Sequence, residues 1–157
     1  MRVVIQRVAR ASVTLPPSSH VSGQIGPGLL VFCGLQAGDT AEQLDWMARK
    51  ILQLRIFPNN QGKMNLSIRE VPGAQILLVP NFTVGCEISQ GRRPSFDQAM
   101  PPAQASLAFD AFVERCVDQG VEVYTGVFGA DMHVECCNDG PVTFVLETPR
   151  RLQEPGP

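Results

Sequence analysis

A chain of 157 residues has the size of one ordinary domain and can bury a core without disulfides or a structural metal. Hydrophobic residues make up 44% and charged residues 18%, which excludes an intrinsically disordered chain. The net charge of −2 excludes a global positive field, so a nucleic acid partner must be met by a local basic patch, and a nonspecific DNA binder is not expected.

Along the chain, the opening run Val3-Val4-Ile5 stops at Gln6 and Arg7, too early for a signal peptide. No apolar stretch approaches the roughly 20 residues of a membrane helix, so a cytoplasmic protein with no membrane partner is expected. Val3, Ile5, Arg7 and Val13 mark a first strand, broken at Pro16-Pro17-Ser18-Ser19. Short strands follow at 21–25 and, after the turn Gly26-Pro27-Gly28, at 29–35. Gly23, Gly26 and Gly28 lead into a strand instead of a helix, so they read as turn glycines and not as a phosphate loop. Thr40 with Gln43 forms a capping-box pattern, and Leu44, Met47, Ala48, Ile51 and Leu52 give the buried face of a helix, with Trp46, Arg49 and Lys50 off it. Arg55-Ile56-Phe57 reads as a short strand ended by Pro58-Asn59-Asn60, and residues 76–79 read as a buried one. A second helix follows Pro101-Pro102, with Ala105, Phe109, Phe112, Val113, Cys116 and Val117 as its stripe and Gly120 as its stop. Two last strands, 132–136 and 142–146, are joined by Asn138-Asp139-Gly140-Pro141. The class is α+β, with two main helices covering one face of the sheets; residues 1–148 form one domain, and the Pro-rich 149–157 a frayed tail.

Three loops carry candidate chemistry. Pro80-Asn81-Phe82-Thr83-Val84 interrupts an apolar strand with an amide and a hydroxyl. Asn138-Asp139-Gly140-Pro141-Val142-Thr143 is either a functional loop or a plain hairpin turn, since its first four residues are all turn formers. Gly91-Arg92-Arg93-Pro94-Ser95-Phe96 holds two adjacent arginines that either bind phosphate or form a solvated turn. Thr83 has no neighbouring base, which leaves Cys86 with His133 as the nucleophile pair to consider. The five cysteines, Cys33, Cys86, Cys116, Cys136 and Cys137, are odd in number and lack a CxxC spacing, and Cys136 and Cys137 face opposite sides of a strand. Neither a metal nor a cofactor is expected, and no HExxH, GxSxG or P-loop occurs.

From Met1 to about Glu147 the chain resembles the D-aminoacyl-tRNA deacylase family. The likeness rests on Ile5-Gln6-Arg7-Val8, Ala11-Ser12-Val13, Gly62-Lys63-Met64-Asn65-Leu66, Arg93-Pro94-Ser95-Phe96 and Asn138-Asp139-Gly140-Pro141-Val142-Thr143, in that order. One signature departs: the family commonly reads Ser-Gln-Phe-Thr-Leu where this chain reads Pro80-Asn81-Phe82-Thr83-Val84. An animal-type subgroup that cleaves mischarged L-alanine also places Pro first but replaces the Phe, so Phe82 and Arg7 set this chain nearer the D-specific group.

The resemblance implies a three-layer arrangement of sheets continued across a homodimer, and hydrolysis of D-aminoacyl-tRNA, with glycine as a further substrate. It implies that Gly140 and Pro141, joined by a cis bond and held by Arg7, enter the partner's pocket and leave no room for an L side chain. Phe82, Thr83 and Asn81 would supply backbone oxyanion donors and pocket walls in place of a nucleophile. Pro80, Met132, Asn138 and Thr143 would support the pocket. Arg92, Arg93 and Lys63 would hold the tRNA. The competing expectations are a deacylase of mischarged L-Ala-tRNA, an inactive tRNA-binding relative, and an unrelated Cys or Thr hydrolase.

Overall fold

The computed structural model describes residues 1–89 and 91–149, so the expected tail lies outside it except for Pro149. In chain order come β1 (Arg2–Leu15), β2 (His20–Ile25), β3 (Gly28–Gly34), α1 (Ala41–Gln53), β4 (Phe57–Pro58), β5 (Met64–Leu66), β6 (Gln75–Pro80), α2 (Pro102–Val117), β7 (Glu122–Thr125) and β8 (His133–Glu147). Two 3₁₀ turns, Ile68–Glu70 and Phe82–Gly85, complete the described elements.

Six strands form one mixed sheet in the order β2-β1-β3-β6-β7, with β8 also on β1. β3, β6 and β7 run parallel. Parallel neighbours need long crossovers, and the segments carrying α1 and α2 supply them. Alternation along β3 and β6 divides the core. Leu29, Val31, Cys33, Ile76 and Leu78 pack under the two helices, whereas Leu30, Leu77 and Val79 pack against Val8, Ala11, Val13 and Ile25. Burial on both faces explains why these strands read as unbroken apolar runs. The helices do cover one face, as α+β patterning predicts.

The other face is covered by the sheet itself. β1 pairs with β3 through its first half and with β2 through its second. β2 then lies back on β6 and β7: a Cβ at Gly23 would come within 2.8 Å of Leu77 Cδ1 and Thr125 O. Separate stacked sheets are therefore not what forms. One sheet curls until it nearly closes, with β4 and β5 as a detached two-stranded ribbon.

Thr40 caps α1 through the predicted capping box, and the buried residues of α1 are the five predicted. In α2, Pro102 takes the first turn, where its missing N–H costs nothing. Val117 is 52% exposed and not part of the stripe, because it sits about 100° round the helix from the buried Cys116. The expected pair of C-terminal strands is one strand, β8, running along β1 from Thr14 to Arg2. No helix among the described residues is long and apolar enough to cross a membrane.

Candidate active site

β6 ends at Pro80, which has no N–H to extend a ladder. Asn81 N–H donates to Cys33 O at 2.8 Å, and Val84 N–H donates to Asn81 O at 3.3 Å. Asn81 is the N-cap of the Phe82–Gly85 turn: its Oδ1 accepts from Thr83 N–H at 3.1 Å and from the Thr83 hydroxyl at 2.6 Å. These bonds leave Phe82 N–H as the one backbone donor of residues 80–84 without an acceptor among the described residues. The Asn81 side-chain NH2 is free in the same sense. Arg2 donates to Val84 O at 3.3 Å and pairs with Glu147, which ties the far end of the turn to β1 and β8.

Phe82 stands out of the surface, 61% exposed, with a cavity on either side. One cavity, of about 440 Å³, is walled by Cys33, Leu35, Phe96, Met100, Ala105 and Phe128 and is almost wholly apolar. The Phe82 and Phe96 rings meet at its mouth with centroids 5.1 Å apart and planes at 57°. Burial, and then the neighbouring Cys116, push the Cys33 thiol well above its ordinary range, so at neutral pH Cys33 is an apolar wall and not a nucleophile. The other cavity, of about 320 Å³, is walled by Phe32, Val79, Asp131, Met132 and Val134. Pro80, Asn81, Phe82 and Gly129 belong to both. A larger groove of about 550 Å³ between β1, β2 and β8 holds Arg10, Gln24 and Glu135, but it lies away from the turn and converges on no catalytic group.

The second signature is a bulge. β8 pairs Thr143 with Gln6 and Asn138 with Val8, so extra residues of β8 loop out opposite Arg7. Asn138 clasps them: its Nδ2 donates to Val142 O at 3.1 Å and Thr143 Oγ1 at 3.2 Å, and its Oδ1 accepts from Val142 N–H at 2.9 Å. Arg7, only 9% exposed, donates through Nε to Asp139 O at 2.9 Å and through Nη1 to Ile56 O at 2.6 Å; Nε also lies 3.1 Å from Asp139 Oδ2. The loop is thus a framed projection of one strand and not a hairpin turn. The Gly140-Pro141 bond is cis. A Cβ at Gly140 would fall 2.2 Å from Val142 N, which restricts the position to glycine.

The candidate residues therefore fall into four groups in one chain. Pro80, Asn81, Phe82 and Met132 surround the cavities, with Thr83 in the same turn. Arg7, Asn138, Gly140, Pro141 and Thr143 build the bulge, and none of them lines either cavity. Arg92 and Arg93 are exposed on a loop that a Glu87–Ser95 backbone pair closes beside Phe96. Lys63 is on the separate β4–β5 turn, where its N–H donates to Asn59 Oδ1.

Thr83 N–H, expected to be an oxyanion donor, is spent on Asn81. The Cys86–His133 pair also fails, because Cys86 O is bonded to Arg2 at one end of β1 while His133 pairs with Thr14 at the other. Sequence reasoning named Phe96 only as the end of the basic loop, and it missed Met100 and Phe128, ordinary apolar residues until the fold gathers them, and Asp131. Among the described residues, no group of three or more His, Cys, Asp or Glu side chains is placed to hold a metal.

Comparison with known proteins adds the chemistry. Residues 4–147 match the family model described as D-Tyr-tRNA(Tyr) deacylase. A D-aminoacyl-tRNA deacylase of Geobacter sp. (strain M21) is 49% identical over 95% of this chain and 98% of its own. That of Chlorobaculum tepidum is 49% identical over 96% and 99%. Among solved structures, the c-Myc DNA Unwinding Element Binding Protein superposes with a TM-score of 0.89 at 39% identity, over 95% of this chain and 99% of that one.

Proposed function

The chain belongs to the D-Tyr-tRNA(Tyr) deacylase family, and on that premise we propose that it hydrolyses the ester of D-aminoacyl-tRNA to free amino acid and tRNA, a chiral proofreading step of translation in the cytoplasm. Residues 1–148 act as one deacylase domain. The observation that carries this reading is the free Phe82 N–H between two cavities. An ester seated there has one cavity for the terminal nucleoside of the tRNA and another for the aminoacyl group.

Water adds to the ester carbonyl, the carbon–oxygen bond to the ribose breaks, and the departing ribose oxygen takes a proton. The negative charge that develops on the carbonyl oxygen is met by Phe82 N–H and by the Asn81 side-chain NH2, fixed in advance because Oδ1 is committed to Thr83. Thr83 gives its hydroxyl proton to an amide oxygen, which is no base, so Thr83 is a strut and not a nucleophile. An aminoacyl ester is already reactive, so orientation and charge stabilisation suffice, with help from the free hydroxyl of the terminal ribose.

The partner completes the site. β8 is a long strand whose outer edge carries no strand among the described residues, and it exposes Phe144 and Val145. Such an edge calls for cover. We place a second copy there, continuing the sheets across a homodimer and setting Gly140 and Pro141 of each protomer against its partner's Phe82 and Thr83. Two backbone carbonyls of that bulge then hold the substrate's α-ammonium and leave no space for an L side chain, while glycine, with no side chain to reject, is admitted. Arg92 and Arg93, with Lys63, take the phosphates of the tRNA acceptor end.

The test is hydrolysis of D-Tyr-tRNA measured beside L-Tyr-tRNA, Gly-tRNA and mischarged L-Ala-tRNA. Rapid release of D-tyrosine with L-Tyr-tRNA left intact is the expected result. Binding without release would make the chain an inactive relative, and a preference for L-Ala-tRNA would assign it to the Pro-bearing subgroup.

A further inference from the structure

Of the two cavities beside Phe82, the smaller takes the aminoacyl group, and it holds one ionisable side chain that the reaction as described does not use. Asp131 lies in its wall, and every other lining residue, from Phe32 and Val79 through Gly129, Ala130, Met132 and Val134, is uncharged. Asp131 is exposed and forms neither a hydrogen bond nor a salt bridge among the described residues, so it is neither a turn cap nor half of an ion pair. Its segment is nevertheless fixed. Gly129 has φ of 74°, which suits a glycine-only turn. Ala130 N–H donates to Val127 O at 3.3 Å, and Val127 N–H donates to Met132 Sδ at 3.4 Å. The fold thus holds a carboxylate in the wall of a small cavity that has no other charged side chain.

Arg92 and Arg93 lie on the loop closed by the Glu87–Ser95 pair, next in sequence to Phe96, which walls only the larger cavity, whereas Asp131 walls only the smaller one. An aminoacyl-tRNA end has the matching polarity, phosphates at the nucleoside end and an α-ammonium at the other. Resting on the deacylase reading, we propose that Asp131 binds the α-ammonium of the substrate. An ammonium has three N–H donors, so a carboxylate can accept one while the partner's two loop carbonyls accept the others. Asp131 is then a residue that selects substrates with a free amino group. It also repels tRNA phosphate from the aminoacyl cavity, which fixes the direction in which the substrate lies.

The experiment compares D-Tyr-tRNA with the matching ester in which a hydroxyl replaces the α-amino group, using the wild-type protein, Asp131→Asn and Asp131→Glu. Affinity for each ester is read as its KM or as its inhibition constant against the other. Asp131→Asn is expected to weaken the α-amino ester about tenfold, equivalent to about 1.4 kcal/mol, with kcat little changed and the α-hydroxy ester unaffected; Asp131→Glu recovers most of the loss. Equal weakening of both esters, or no weakening of the α-amino ester, overturns the proposal. A wild-type protein that leaves D-Tyr-tRNA intact overturns the deacylase reading itself, and this proposal with it.

Discussion

Thr83 looks like a nucleophile and is placed as a strut. Its hydroxyl is bound to the Asn81 amide oxygen at 2.6 Å, and its N–H to the same atom at 3.1 Å. Thr83→Ala is expected to retain measurable deacylation, because deleting a true covalent nucleophile costs many orders of magnitude. Complete loss in a folded variant, together with a trapped acyl-Thr83, would reverse that assignment. Asn81 is the more exposed to substitution. In Asn81→Asp the carboxylate still caps the turn but offers no donor and places negative charge where the oxyanion forms. Losing one such donor costs about 10²–10³ in kcat, so kcat should fall on that scale with KM nearly unchanged and the melting temperature held. A variant with wild-type kcat would show that Asn81 only shapes the turn. The shorter amide was visible in the sequence, but its consequence was not. An Asn side chain is short enough to close on the N–H two residues ahead, and that removes Thr83 N–H from the donors that the motif alone suggests.

Between the elements, the bulge of β8 depends on Arg7, whose guanidinium reaches Asp139 O and Ile56 O at once. A lysine in its place would be a point charge without the fork, so Arg7→Lys should cost about 1–3 kcal/mol in denaturant unfolding for the hydrogen bonds it leaves unmade. The ratio of D to L hydrolysis should fall with it, and an unchanged ratio would separate Arg7 from selectivity. The basic loop makes the opposite claim. Changing Arg92 and Arg93 together to Ala should raise KM alike for different tRNAs and flatten the slope of log affinity against log salt by about 1.4–1.8. Loss of chiral preference with affinity intact would move those arginines into the pocket. Both helices, the capping box of α1 and the buried strands were legible in the sequence, because each depends on local periodicity or on a cap three residues away. The bulge was not: two colinear halves of one strand and a hairpin look identical until the partner strand is known, and only the register against β1 separates them. β7 was missed for a related reason, since four residues are too few to show a period. The walls of the cavities come from β3, β6 and the turn after it, the start of α2 and the loop before it, the loop after β7 and the start of β8, and no spacing in sequence brings these together.

For the whole molecule, the separation of the bulge from the cavities in one chain decides what must be shared. The residues that frame Gly140 line neither cavity beside Phe82, so either the site uses both and requires two copies, or it works without the bulge. Mixed dimers distinguish these cases. One parent is Asn81→Asp, whose bulge is intact. The other is Gly140→Ala, whose turn is intact but whose added methyl would collide with Val142 N, 2.2 Å from the Cβ position. Each parent alone should be nearly inactive. If the loop acts in trans, a mixed dimer pairs the intact turn of the second parent with the intact loop of the first and restores one site of its two. Random exchange of equal amounts makes half the dimers mixed, so about one quarter of the wild-type sites should return, as expected of an isologous pair. Sedimentation confirms that both parents remain dimeric before exchange. If the loop acts in cis, every protomer in the mixture carries one defect beside its own site, and mixing restores nothing. Recovery that follows the fraction of mixed dimers, measured as D-Tyr-tRNA hydrolysis at several mixing ratios, is the outcome that two-chain assembly of the site requires.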